Sequence, residues 1–224
     1  MRPFGPQFSR SINTSTLSQA RAVPATSYNF NPASLTFSQR DPTATNSKMA
    51  STDAGELKIE NTNIKTAPGV DLSESQKTLV GSVLDLFAGR PSLAKLQLWK
   101  DDGEFIDPIT ISRGRKQFEA QWYGLQTAFS EIERLHHEVT NAGNPIEMDL
   151  KTRYVVKGIN KEQTIQSKVL IHTEGNKISK VEDKWDGKLP DSSITNAFRR
   201  LNAVTVPNLV GVPKNAEEDA KKGN

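Results

Sequence analysis

The hydrophobic period of this chain changes once, near Phe129, from helical to alternating, and that change limits the fold more than any single motif. On the N-terminal side, Ser73 followed by Gln76 three residues later is a capping box, in which side chain and backbone satisfy each other's free groups. Leu79, Val80, Val83, Leu84 and Phe87 then recur at helical spacing until Gly89-Arg90-Pro91 ends the helix. Ser92 caps a second, shorter helix carrying Leu93 and Leu96, with Leu98 and Trp99 as its candidate last apolar positions. Asp101-Asp102-Gly103 reads as a turn and Glu104–Asp107 as a short strand closed by Pro108. Residues 113–129 read as a third helix, with Phe118, Trp122, Leu125 and Phe129 along one face. Beyond it, Ile132–Val139, Ile146–Val156, Thr164–His172 and Lys177–Trp185 alternate as strands. The breaks at 141–145, 158–161 and 174–176 are turn-sized, too short for a parallel crossover, so the spacing predicts antiparallel pairing. Helices first and strands afterwards give an α+β class.

Only 35% of the 224 residues are hydrophobic, against a usual figure of about 45–50% that also counts Gly, so part of the chain lies outside any packed core. Residues 1–50 fit that role: a disordered leader rich in Ser, Thr, Asn and Pro, with no sustained apolar period. Its first 40 residues carry Arg2, Arg10, Arg21 and Arg40 and no Lys, Asp or Glu. Such composition resembles a mitochondrial transit peptide, which would direct the protein to the matrix. Two other readings stay open: a bland tail, and a working start near Met49 that would leave the protein cytoplasmic. The leader has no apolar h-region of the kind a secretory signal needs. Residues 51–71 read as a polar linker, 72–187 as the domain, 188–213 as an extension packing on it, and 214–224 as a solvated charged tail.

The composition also narrows function. With no Cys there is no disulfide framework, thiolate nucleophile or Cys-ligated zinc. Of the three His, His136 and His137 are adjacent and diverge on a strand, so no metal site is expected. Acidic and basic residues nearly cancel from Leu72 to Leu209, which argues against a nucleic-acid face. No apolar run reaches the roughly 18 residues of a membrane-spanning helix.

Three local strings then carry a resemblance. Asp101-Asp102-Gly103-Glu104-Phe105-Ile106-Asp107-Pro108, the Gly114-Arg115 start of the third helix, and Gly175-Asn176-Lys177-Ile178 through Asp183-Lys184-Trp185-Asp186 occur in the order and spacing of the nuclear transport factor 2-like superfamily. The chain resembles its SnoaL-like members over residues 72–187, and the 188–213 extension is similar to one in uncharacterised fungal members. There Ser192 or Ser193 would cap a helix carrying Ile194, Phe198 and Leu201. The resemblance implies a cone: a curved antiparallel or mixed sheet wrapped around N-terminal helices, enclosing a pocket, without a cofactor and as a homodimer. Isomerases, dehydratases, cyclases, epoxide hydrolases and binding proteins all share this fold, so it does not name a chemistry.

Strand parity proposes the lining of that pocket. Ile146, Met148, Leu150, Thr152, Tyr154 and Val156 share the apolar face of their strand, and Val181, Asp183 and Trp185 share one face of the last strand, with Ile178 on the other. A carboxylate in an apolar cavity has a raised pKa and can move protons, which makes Asp183 the first catalytic candidate. His137 is its candidate partner, because the Leu135/His137/Val139 parity reads as more buried than Ile132/Arg134/His136. Trp99, Asp107, Trp122, Tyr123, Met148, Tyr154 and Trp185 complete the expected ligand pocket. The leading expectation is a non-catalytic module that binds a small hydrophobic molecule or dimerises. The alternatives are a cofactor-independent isomerase, dehydratase or cyclase acting on a polyketide-like or steroid-like substrate, and a protein–protein scaffold.

Overall fold

A computed structural model describes residues 56–187, 195–196 and 211–222. The expected leader, the helix capped by Ser192 or Ser193, and most of the 188–213 extension lie outside the described residues. Helix α1 (Glu74–Phe87) begins at the capping box: Ser73 Oγ accepts from the Gln76 N–H at 3.2 Å, and Gln76 Oε1 accepts from the Ser73 N–H at 2.9 Å. Then come α2 (Leu93–Leu96), β1 (Trp99–Asp107), β2 (Thr110–Arg113), α3 (Arg115–Ala128), β3 (Phe129–Asn141), β4 (Ile146–Val156), β5 (Glu162–Glu174), β6 (Lys177–Trp185) and α4 (Ala216–Ala220).

One six-stranded mixed sheet runs β2-β1-β6-β5-β4-β3. Every neighbouring pair is antiparallel except β1 and β6, which run parallel. The sheet's inward face meets α1 and α3 in a single apolar core. Aromatic side chains fill much of it: the rings of Phe105 and Trp122 lie 4.6 Å apart, Phe87 and Trp122 5.2 Å, and Trp99 stacks on Phe118 at 5.0 Å. Such contacts combine large buried area with preferred ring geometry. The outer face of the sheet is charged, with Arg153 reaching Glu131, Glu133 and Glu162, and Lys168 reaching Asp149.

Several elements differ from the sequence expectation, each for a local reason. The strand expected from Glu104 starts at Trp99, and the expected turn at 101–103 is an irregularity in its register against β6. The β2 hairpin was not expected, because Pro108 reads as a stop; it closes with Asp107 opposite Thr110. In β3, Arg134 pairs with Thr152 and His136 with Lys151, so Leu135 is an extra, exposed residue. That bulge puts Ile132 and Arg134 on the same inward face as His137 and Val139, overturning the simple alternation. A second shift in the β5–β6 register brings Ile178 to the inward side with Val181.

The larger corrections concern the flanks. Residues 56–71, expected as a linker, form a strap along the domain, with Leu57, Ile59 and Asn61 buried. Its far end joins β3: Ala67 N–H donates to the Val139 carbonyl and Val139 N–H to the Lys65 carbonyl, both at 2.9 Å. Its near end is held by Asp85 of α1, whose carboxylate accepts from the Glu60 N–H at 2.8 Å, the Asn61 side-chain amide and Arg90 Nη2 at 2.9 Å, with Lys95 Nζ at 3.2 Å. Burial alone would raise the Asp85 pKa, but these donors and cations outweigh it and hold the carboxyl below its ordinary range. The expected charged tail is also partly docked. Asp219 of α4 is buried, accepting from Tyr123 Oη at 2.5 Å and from the Leu93 N–H at 3.0 Å, so it caps α2.

Gly81 shows how closely the strap is seated: a Cβ there would come within 2.5 Å of the Asn61 carbonyl oxygen. Ala at a helix interior normally gains about 1 kcal/mol over Gly. We expect Gly81→Ala to lose stability in urea unfolding and to speed amide exchange in residues 57–66. A more stable variant with unchanged exchange would contradict this account of the strap.

Candidate functional site

The site is built where β1 ends beside β6. Their parallel register sets Phe105 against Val181 and Ile106 against Glu182, so Asp107 and Asp183 follow one residue further on. Both are buried. They line a small hollow with Phe87, Phe105, Gln121, Trp122, Leu125, Tyr154, Ile165 and Trp185, drawn from α1, α3 and four strands. Its free volume is about 20 Å³, which holds roughly one water molecule.

The hydrogen bonds of the two carboxyls differ. Asp107 Oδ1 accepts from the Ile109 N–H at 2.8 Å, folding the chain back into β2. Asp183 Oδ2 accepts from Trp185 Nε1 at 2.7 Å, while its buried Oδ1 has no hydrogen-bond partner among the described residues. The amide oxygen of Gln121 is likewise buried and without a partner among them. Among the described residues no Lys, Arg or His lines the hollow.

Burial pushes the Asp183 carboxyl up to about 6, with Ser167 and Trp185 favouring the anion. Burial pushes Asp107 up to about 7, and the nearby charge of Asp183 adds to it against the bonds from Ile109 and Thr110. The two titrate as a coupled pair, in which a charge on Asp183 helps hold a proton on Asp107. Burial and the same two carboxylates raise Tyr154 as well, so its phenol stays protonated.

Not all expected site residues meet here. Asp183, Asp107, Trp122, Tyr154 and Trp185 do; His137, Tyr123, Trp99 and Met148 do not. His137 belongs instead to the strap, where Nε2 accepts from the Lys65 N–H at 3.1 Å. Burial, then Arg134, Lys65 and His136, push its pKa down to about 4, against the pull of the Asn63 backbone. His137 lines the hollow beside the strap and Asp183 the one between the sheet and the helices, so the expected His137–Asp183 pair is not formed. Tyr123 turns its hydroxyl to Asp219, Trp99 stacks on Phe118, and Met148 is fully buried core.

Phe87, Phe105, Gln121, Leu125 and Ile165 were not among the expected lining residues. Phe105 shares the parity of Asp107, and Gln121 shares a helical face with Phe118, Trp122 and Leu125, so those signals were present. Among the described residues no group of three or more His, Asp or Glu comes together as a metal site. No helix among them is long and apolar enough to cross a membrane.

No protein-family description and no curated protein matches the chain. Several solved structures share its outline. A steroid delta-isomerase from Pseudomonas aeruginosa is similar over 62% of this chain and 97% of its own, at 13% identity and a TM-score of 0.47. A hypothetical protein with a ketosteroid isomerase-like fold from Catenulispora acidiphila, in complex with trimethylamine, is similar over 50% and 85%, at 17% identity and a TM-score of 0.42. A nuclear transport factor 2-like protein of unknown function from Exiguobacterium is similar over 49% and 99%, at 14% identity and a TM-score of 0.41. Likeness at this level concerns the outline of the fold and carries no chemistry to this chain.

The raised carboxyls make a signed prediction. A group whose pKa is higher in the folded state supports folding below its unfolded value, and that support is lost as pH rises through the folded value. For Asp107 the window runs from 3.8 to about 7. His137, lowered from 6.5 to about 4, changes stability in the opposite direction over an overlapping range, so the comparison must be between variants. Relative to the parent, Asp107→Asn should gain stability as pH rises from about 4 to about 7 and level off above it. Urea unfolding at pH 5 and pH 8 reads the difference; equal differences at both would contradict a buried, proton-holding Asp107.

Proposed function

We propose that this chain is a small-molecule-binding module in which the Asp107–Asp183 pair receives the polar group of a small, mostly apolar ligand. The observation that carries the reading is the meeting of two buried carboxyls in one aromatic hollow, with no cationic residue in its lining among the described residues. A pair that holds one proton near neutral pH offers a donor and an acceptor side by side. Apolar walls with a few convergent polar groups are the usual make-up of a ligand pocket, although such pockets are commonly about 300–1,000 Å³. The ligand is therefore small, or it enters by displacing half-buried Trp185.

The same pair favours a second reading, proton transfer. Carboxyls with pKa values near the working pH suit general acid–base catalysis. Asp183 would take a proton, Asp107 would return one, and protonated Tyr154 would stabilise a developing enolate by hydrogen bonding. This supports an isomerase, dehydratase or cyclase activity without His137.

Native mass spectrometry of the protein purified from its own host tests both readings and counts its subunits. We expect a retained small molecule, weakened about tenfold or more in Asp183→Asn, which is about 1.4 kcal/mol of binding. A ligand-free protein whose melting temperature does not respond to a library of small apolar alcohols, ketones and amines would overturn the binding reading. A ligand released unchanged after long incubation with the parent protein would remove the catalytic one.

A further inference from the structure

A second hollow lies on the other side of the domain, between strap residues 60–65 and β3, with a free volume of about 300 Å³. Asn63, Lys65, Arg134, His136 and His137 line it, together with one carboxylate, Glu60. We propose that this hollow binds a small oxyanion, a carboxylate or phosphate group, held by Arg134 and Lys65.

The first argument is geometric. The bulge at Leu135 turns Arg134 inward, opposite Thr152, rather than out into water. Its Nη1 is buried and has no hydrogen-bond partner among the described residues. That N–H is closed off from the hollow, so a bound anion would be held by the part of Arg134 that lines it, and a charged acceptor is the partner a guanidinium binds best.

The second argument is the local charge. Asp85 already accepts from Glu60, Asn61 and Arg90 and faces Lys95, which fills the acceptor positions of one carboxylate. Glu60 is engaged by Arg90 at 3.3 Å. Neither Arg134 nor Lys65 has an ion pair among the described residues. Arg134 is held below its ordinary range by burial and then by Arg90, with Asp85 acting only partly against them. Two cations thus face a polar hollow whose nearest carboxylates are committed elsewhere. His137 stays neutral in holding the strap, so it neither adds to the positive charge nor leaves the wall.

This site is independent of the carboxyl pair, and one experiment keeps them apart. The full chain is titrated by amide NMR with inorganic phosphate and, separately, with acetate, in chloride at about 0.15 M to screen loose surface attraction. We expect saturable shifts confined to residues 60–65 and 134–137, weakened about tenfold or more in Arg134→Gln and unchanged in Asp183→Asn. Saturation with both anions supports a general oxyanion site; saturation with phosphate alone supports it and narrows the ligand to a phosphate group. Lys65→Gln is the second variant, because the exposed Lys65 side chain can be lost while its backbone bonds to His137 and Val139 of β3 remain. Linear, non-saturating shifts, or equal titrations in the parent and both cation variants, would overturn the proposal.

Discussion

Everything distinctive about this domain depends on the parallel pairing of β1 with β6. The other strand contacts join sequence neighbours through short turns, but this one closes the sheet between segments separated by a long helix and four strands. It places Phe105 under Trp122 and carries Asp107 alongside Asp183. Pairing of this kind is entropically demanding to form, because a long loop must close before the contacts reward it. The buried aromatic cluster that stands over it supplies the opposing hydrophobic term.

A different balance operates at Asp85. A lone ionised carboxylate in such a position would be strongly disfavoured, whereas one surrounded by two cations and two further donors stays charged. Its partners come from the strap, the α1–α2 connection and α2, so one side chain joins three separate stretches of chain. Asp107 and Asp183 show the contrary case. They are also buried, but among the described residues no cation lies beside them, and the pair holds a proton to higher pH instead. The same residue type is structural in one place and chemically poised in the other because of what faces it.

Much of the scaffold was legible in the sequence because it follows local rules. The capping box at Ser73, the apolar stripes of α1 and α3, and the alternation of β4 each depend on residues a few positions apart. Asp183 was legible as a buried carboxyl for the same reason, through its parity with Val181. Its partner was not. The two aspartates are brought together by long-range parallel pairing, which leaves no local pattern, and His137, though buried as its parity with Val139 indicates, stands on the edge strand β3 with β4 and β5 between it and Asp183. The strap was hidden for a related reason: its buried residues are few and separated by polar ones, and it is received by an aspartate and a bare glycine in α1 and by backbone bonds to β3, none of which lies near it in sequence. Composition marks a segment as polar, but it does not reveal that another element has been shaped to receive it.

The short bridge between Thr66 and Val139 bears on how the protein behaves in a crowded solution. β3 is the outermost strand of the sheet, and its free backbone groups are a template on which another chain could add a strand. The strap occupies that edge around Lys65–Ala67, while Glu131 and Glu133 place charge along the opposite end. A chain trimmed beyond Ala67 would keep every helix and strand of the domain, yet it would present an open β edge to its neighbours. What it would lose first is solubility.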